Sequence, residues 1–133
     1  MTRYKLTIEY DGTPYSGWQR QNDAPSVQRA IERAIFGFCQ QDVKVTAAGR
    51  TDAGVHAYGQ VAHVDLEVNR SCFTIRDGLN AWLRKEAVSI TQVEEVANGF
   101  HARFSAQTRH YKYRIMMRRA PLVLDTLRAW HVP

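Results

Sequence analysis

The 133-residue sequence contains little cysteine and no long apolar segment. Its two cysteines, Cys39 and Cys72, are too few for a disulfide framework and form no CxxC pair, so we expect buried free thiols without redox chemistry. The longest wholly apolar stretches span only a few residues, whereas a membrane-spanning helix needs about 20. The first residues interleave charges with a strand pattern instead of a signal-peptide core, which favours a cytoplasmic protein without a membrane partner.

The sequence also lacks the common metal and nucleotide motifs. None of its five histidines belongs to a zinc-ligand spacing, and the two cysteines are isolated. Neither a phosphate-binding GxxxxGKS or GxxxxGKT loop nor a GxGxxG segment after a strand occurs. We therefore expect no metal site and no nucleotide cofactor.

The charges are mixed through most of the chain but not at its C-terminal end. Hydrophobic residues make up 44%, which is typical of one folded domain with a single core. Residues 1–99 hold 11 Lys or Arg against 12 Asp or Glu, whereas residues 100–133 hold 7 against 1. The C-terminal cations are interleaved with Phe104, Tyr111 and Tyr113. This pattern is typical of a surface that binds phosphates and stacks bases, although a solvated strand face would show it too.

Hydrophobic periodicity predicts two helices. Apolar residues at helical spacing indicate the first helix at about 26–40, with Ser26 as its N-terminal cap. A second helix is predicted from a capping box formed by Thr74 and Asp77. One face of this helix would carry Ile75, Leu79, Trp82 and Leu83.

Alternation of apolar and polar residues predicts the strands. The predicted strands cover residues 4–10, 43–48, 60–66, a segment from Val88 whose face changes before Val93, and 109–117. The order strand, helix, strand, strand, helix, strand, with an added strand, matches the split βαβ arrangement. We therefore expect an α+β fold, a ferredoxin-like sandwich with an antiparallel sheet extended by an extra strand. Four-stranded RNA-binding modules share this order, so the fold alone leaves the function open.

The strongest local signal is the segment GRTDAGVHA at residues 49–57, between two predicted strands. Its glycines permit close backbone approach, so the loop can hold Asp52 and Arg50 against a ligand. An ionised Asp52 carboxylate can attack an electrophile without an activating base, and Arg50 offers two parallel donors to a phosphate. An ordinary turn, in which Asp52 caps the backbone and Arg50 is solvated, would have the same composition.

The whole GRTDAGVHA string resembles the signature of the TruA family of tRNA pseudouridine synthases. Further segments match motifs of that family in the same order, namely EYDG at 9–12, GWQRQ at 17–21, SVQ at 26–28, FHARFSA at 100–106 and RHYKY at 109–113. Such collinear agreement over most of a chain is far more specific than one short motif.

The resemblance implies an enzyme that breaks the N1–C1′ bond of a uridine, turns the uracil and rejoins it through C5, without cofactor or metal. By resemblance Asp52 is the nucleophile, Tyr111 lies on the flipped uracil, and Arg50 braces the vacated space. Whether the carboxylate attacks C1′, adds to the ring or promotes a glycal stays open. Tyr113 is expected to pack in the core. The expected target is the anticodon stem-loop of tRNA, at positions 38 to 40.

Enzymes of this family are dimers of two-domain chains, so tRNA and a second copy of the full-length enzyme are the expected partners. Residues 1–117 are expected to form the catalytic N-terminal domain, and 118–133 to begin the linker to the other domain. Because part of the site would then lie elsewhere, we expect these 133 residues to be inactive alone. The rival interpretation is a non-catalytic RNA-binding module, but that module would carry an RNP1 pattern, which is missing.

Overall fold

The structure is a computed structural model that describes residues 1–133. Its elements in chain order are β1 (Thr2–Tyr10), α1 (Val27–Cys39), β2 (Thr46–Ala47), β3 (Ala57–Leu66), α2 (Cys72–Trp82), β4 (Val88–Val96), β5 (Ile115–Met117) and β6 (Trp130–Val132). The first four strands form one sheet in the order β2-β3-β1-β4, with every neighbouring pair antiparallel. This order confirms the predicted α+β, ferredoxin-like arrangement.

The core lies between the sheet and the two helices. Alternate residues of β1, from Tyr4 to Tyr10, are buried on the face that α1 and α2 cover, whereas the intervening side chains are more exposed. The hydrophobic cluster of 21 buried residues lies entirely between Tyr4 and Val93. The fold is therefore built from the first two-thirds of the chain. No helix is long and apolar enough to cross a membrane.

Each helix begins directly after a serine that caps it. The Ser26 hydroxyl accepts the Arg29 backbone N–H at 3.2 Å, which confirms the predicted cap of α1. The Ser71 hydroxyl accepts the Thr74 backbone N–H at 3.2 Å, so α2 begins earlier than predicted. The predicted capping box of Thr74 with Asp77 is wrong, because Thr74 already lies in the first turn of α2.

The predicted change of face in β4 corresponds to a β-bulge. Along β1, Thr7 pairs with Gln92 and Ile8 pairs with Ile90, which leaves Thr91 without a partner of its own. The extra residue moves the following apolar side chains back to the buried face. This prediction is confirmed.

Two predicted strands are much shorter in the structure. Only Thr46–Ala47 of the segment 43–48 and only Ile115–Met117 of the segment 109–117 are strands. β5 pairs in parallel with β6 in a separate two-stranded sheet, so the predicted extension of the main sheet is wrong. The backbone carbonyl of Ala48, just beyond β2, accepts two N–H groups of the Arg109 side chain at 3.0 and 3.2 Å. The Arg109 side chain therefore occupies a backbone carbonyl that would bond to a neighbouring strand if β2 were longer.

The two cysteines and Tyr113 are less buried than predicted. Cys39 and Cys72 are free, as predicted, but both are only partly buried. Tyr113 is 89% exposed, so its predicted place in the core is wrong. The reason is the missing strand, because residues 109–114 have no sheet neighbour under which a side chain can be buried.

Candidate active site

The loop of residues 48–56 connects β2 to β3 and is held by residues 9–21, which we call the N-terminal motif. The Trp18 backbone N–H donates to the Thr51 carbonyl at 3.0 Å. The hydroxyls of Tyr10 and Thr51 are hydrogen-bonded at 2.8 Å, and the Gln60 amide donates to the Gly49 carbonyl at 2.7 Å. The backbone on the N-terminal side of Asp52 is therefore fixed by β1, β3 and the segment that follows β1.

Two glycines allow the N-terminal motif to lie directly against this loop. Gly17 has φ of +102°, and a Cβ atom there would lie 2.6 Å from the Thr51 carbonyl oxygen. A Cβ atom on Gly12 would overlap the Val55 carbonyl. Both neighbours are backbone atoms, which cannot swing away as a side chain can. Any larger residue at either position must therefore displace the loop that carries Asp52.

Asp52 and Arg50 are both exposed on this loop. Neither side chain makes a hydrogen bond or an ion pair within the chain. The turn around Asp52 is closed by its backbone carbonyl, which accepts the Val55 N–H at 3.2 Å. The Asp52 carboxylate is therefore not a turn cap. Both charged groups remain available to an external ligand.

A cleft of about 1140 Å³ opens beside the loop, between the sheet and the C-terminal part of the chain. Residues that line it include Tyr10, Gly49, Thr51, His56, Arg109 and Tyr111. The Tyr111 hydroxyl lies 3.7 Å from the position that a Cβ atom would take on Gly49, and most of Tyr111 is exposed. The structure thus brings Tyr111 to the beginning of the loop. Asp52 and Arg50 stand beside the cleft and are not among its lining residues.

Four basic residues of the C-terminal part line the same cleft but differ in their contacts, namely Arg109, Lys112, Arg114 and Arg128. Arg109 donates to the carbonyls of Ala48 and Arg103, both at 3.0 Å. Arg114 forms an ion pair with Asp125 at 3.4 Å. Lys112 also lines the cleft and has no protein partner, so its charge is available to an external anion.

His56 is a site residue that sequence reasoning did not single out. Its Nδ1 accepts the Gly12 backbone N–H at 2.9 Å, and its Nε2 lies 2.7 Å from the Leu127 carbonyl. Nδ1 also lies 3.2 Å from the Asp11 carboxylate, so both ring nitrogens have partners within the chain. His56 therefore ties the loop to the N-terminal motif and to the C-terminal part. Its place in the GRTDAGVHA string was the only sequence signal.

Asp11 and Tyr10 also contact residues of the loop, Asp11 at His56 and Tyr10 at Thr51. Hydrogen bonds from the Thr13 hydroxyl and backbone N–H lower the pKa of Asp11, and His56 and Arg128 act in the same direction. Burial raises the pKa of Tyr10, against the effect of its hydrogen bond to Thr51. Tyr10 was predicted only as an apolar position of β1, because alternation does not show that its hydroxyl reaches a loop.

Comparisons with known proteins show what this chain is similar to. Residues 6–105 match the family model described as tRNA pseudouridine synthase. Three curated relatives, each named tRNA pseudouridine synthase A, come from Anaplasma phagocytophilum, Parvibaculum lavamentivorans and Xanthobacter autotrophicus. They are 59%, 58% and 57% identical to the chain over 98%, 99% and 100% of its length. The chain covers 54% of each of them, so it spans about half the length of these relatives.

Proposed function

The chain belongs to the tRNA pseudouridine synthase family, and from this premise we propose that the complete protein converts uridine to pseudouridine in tRNA. The proposed target is the anticodon stem-loop at positions 38 to 40, and the proposed location is the cytoplasm, where tRNA is used. The family match over residues 6–105 supports the reaction. Uridine and pseudouridine are isomers, so the net reaction needs no oxidant, reductant or cofactor.

The observation that carries the proposal is the state of Asp52. Its carboxylate has no partner within the chain, while the preceding residue, Thr51, is held by Trp18 through its backbone carbonyl and by Tyr10 through its hydroxyl. A nucleophile benefits from this combination, because its position is fixed while its charge stays available. In the proposed reaction the N1–C1′ bond breaks, C5 bonds to C1′, the proton on C5 leaves and N1 gains one. Asp52 assists these steps as the nucleophile.

Tyr111 and Arg50 have proposed roles in holding the RNA. A uridine must leave its base stack before its glycosidic bond can be reached. The exposed Tyr111 ring beside Gly49 offers a surface for the extruded uracil, and such stacking contributes about 1 to 3 kcal/mol. Arg50, two residues before Asp52 and without a protein partner, braces the vacated space or binds a phosphate.

We also propose that the complete protein forms a homodimer. Large apolar side chains near the C-terminal end are exposed and would be covered by another part of an assembled enzyme. They include Val123, Leu124, Leu127 and Trp130. Sedimentation of the complete protein at several concentrations measures this directly, and a monomer at every concentration contradicts it.

Asp52→Asn in the complete protein tests the proposed function. The variant keeps the shape of the side chain but removes its charge, so we expect no tritium release from uridine-labelled tRNA. Affinity for tRNA should change by less than about tenfold, or about 1.4 kcal/mol. Asp42→Asn is the matched control, because Asp42 is also an exposed carboxylate before β2, and it should keep full activity. Near-normal turnover by Asp52→Asn contradicts the assignment.

Two further samples complete this experiment. The 133-residue chain alone should fold and bind tRNA weakly but release no measurable tritium, because Asp52 is exposed to water and forms no ion pair with a cation of these residues. A rate comparable with that of the complete protein contradicts this expectation. If the complete wild-type protein binds tRNA without any turnover, the chain is an RNA-binding module and not part of an enzyme.

A further inference from the structure

Phe104 is an exposed aromatic residue with other rings behind it. Its side chain is 78% exposed, in the turn that follows β4. The His101 ring stacks against it, with centroids 4.3 Å apart and planes inclined by 28°. His101 in turn meets His63 edge-on, with centroids 4.7 Å apart. These three rings, which we call the ring stack, lead from a buried residue of β3 to the surface.

Hydrogen bonds hold the ring stack in place. Nδ1 of His63, which is buried, accepts the Ala102 backbone N–H at 3.0 Å. Nδ1 of His101 accepts the backbone N–H groups of Arg103 and Phe104 at 3.2 and 3.3 Å. The Phe104 ring is therefore oriented before any ligand arrives. A ligand that stacks on an oriented ring loses less conformational entropy than one that must order it.

The surroundings of Phe104 indicate what such a ligand is. The Arg103 guanidinium lies 5.8 Å from the Phe104 ring centroid, and the neighbouring residues Ala102 and Ser105 line the large cleft. Arg109 joins this turn to the Asp52 loop, because it donates to the carbonyls of Arg103 and Ala48. An exposed ring with cations beside it is the usual surface for an unpaired base of single-stranded RNA.

We propose that Phe104 is a second stacking platform, which binds an unpaired nucleobase of the RNA other than the target uracil. The inference rests on the proposed function, because it requires that the substrate of the reaction at Asp52 is an RNA that binds in the cleft. Tyr111 and Phe104 then hold two different bases. Arg109 links the two platforms, because its side chain contacts both the turn of Phe104 and the beginning of the Asp52 loop.

Phe73 provides a matched control within the same chain. It is 71% exposed, and the Arg76 guanidinium lies 5.3 Å from its ring centroid. Neither phenylalanine is itself among the residues that line the large cleft. Phe73, however, lies on α2, where its chain neighbours do not line the cleft either, and no other aromatic ring stacks against it. The two phenylalanines therefore share exposure and a nearby cation, but only Phe104 has a supporting ring stack and a place beside the cleft.

The test uses the complete protein and anticodon stem-loop RNAs that carry 2-aminopurine at one loop position at a time. Stacking on Phe104 should quench the fluorescence at one position other than the target. Phe104→Ala should abolish that quenching and weaken RNA binding about 5- to 150-fold, the range that corresponds to loss of one stacked base. Phe104→Trp should restore both, and Phe73→Ala should change neither. KM should rise, whereas kcat at saturating RNA should stay within a few-fold.

One further variant, Phe104→Leu, separates stacking from simple apolar contact. Phe104→Leu keeps an apolar side chain without a ring, so it should behave as Phe104→Ala does; wild-type affinity in this variant overturns the platform. Circular dichroism checks that each variant is folded. If the wild-type protein binds tRNA and folded Phe104→Ala binds equally well, only the platform is wrong. If the wild-type protein binds no tRNA, the platform and the proposed function are both wrong.

Discussion

The main sheet with its helices, residues 2–96, differs sharply from the C-terminal region, residues 100–133. Every member of the hydrophobic core cluster lies in the first, whereas no residue from 103 to 133 is buried. The C-terminal region instead holds 7 Lys or Arg against 1 Asp or Glu. The hydrophobic core and the excess of positive over negative charge thus lie in different parts of the chain. Changes that alter RNA contacts are therefore expected to leave the fold largely intact.

The C-terminal region is joined to the sheet by polar contacts. The Arg3 guanidinium donates to the Phe100 carbonyl at 2.6 Å, and Arg128 forms an ion pair with Asp11 at 3.1 Å. Together with the hydrogen bonds of His56, His63 and Arg109, these contacts replace hydrophobic burial. The region should therefore open locally at a lower free energy than the sheet.

The largest expected effect comes from comparing one leucine in each region. Leu79 of α2 is fully buried, whereas Leu124 is 92% exposed. Leu79→Ala should lower the free energy of unfolding by about 2 to 5 kcal/mol, because it removes buried contacts and leaves a cavity. Leu124→Ala should change it by less than about 0.5 kcal/mol. Urea unfolding followed by circular dichroism measures both, and equal losses would abolish the distinction between the regions.

An intermediate effect is expected on the salt dependence of RNA binding. Lys112 lines the cleft without a protein partner, whereas Arg33 is an exposed cation on α1. Lys112→Ala should lower the slope of log affinity against log salt by about 0.7 to 0.9, because one RNA phosphate is then no longer neutralised by the protein. Arg33→Ala should leave the slope unchanged. Titrations of the complete protein with tRNA at several salt concentrations test this, and identical slopes in both variants contradict it.

The smallest expected effect is a dependence of stability on pH through His63. Burial, and then Arg3 and His101, lower the pKa of His63 below its ordinary 6.5, while Asp65 opposes the shift. The unfolded chain therefore binds a proton more readily, and stability should fall as pH drops below about 6.5. His63→Gln should lack this component, so its free energy of unfolding should approach that of the wild type between pH 7.5 and 5.5. A constant difference contradicts the role of His63.

The sequence predicted those elements whose local pattern agrees with their final surroundings. The cap at Ser26 and the face change at Thr91 were predicted because each has a local signal. Segment 109–117 also alternates, but a strand requires a partner, and the Ala48 carbonyl at the sheet edge is bound to Arg109. Alternation alone does not show whether that partner exists. The polar and aromatic alternation of 109–114 therefore marks a surface instead of a strand.

The candidate site also contains features that the sequence indicates and features that only the folded structure shows. Asp52 and Arg50 were candidates from the residue types of their loop, and the resemblance gave them and Tyr111 their roles. No local rule predicts that the Tyr111 hydroxyl lies beside Gly49. His56 was missed because both of its partners, at Gly12 and Leu127, are far away along the chain. Contacts between distant segments depend on the completed fold. Sequence reasoning therefore named the chemical groups but not what holds them in place.

The central position of β1 has a consequence for how this protein folds during synthesis. β1 is made before both of its partners, β3 and β4: Thr2 pairs with Leu66, and Arg3 pairs with Val96. Both edges of an apolar strand thus stay open until most of the chain has left the ribosome. Sheets built from such distant pairs fold slowly, and open strand edges favour aggregation meanwhile. The newly made chain is therefore most in need of chaperone protection before residue 96 has emerged.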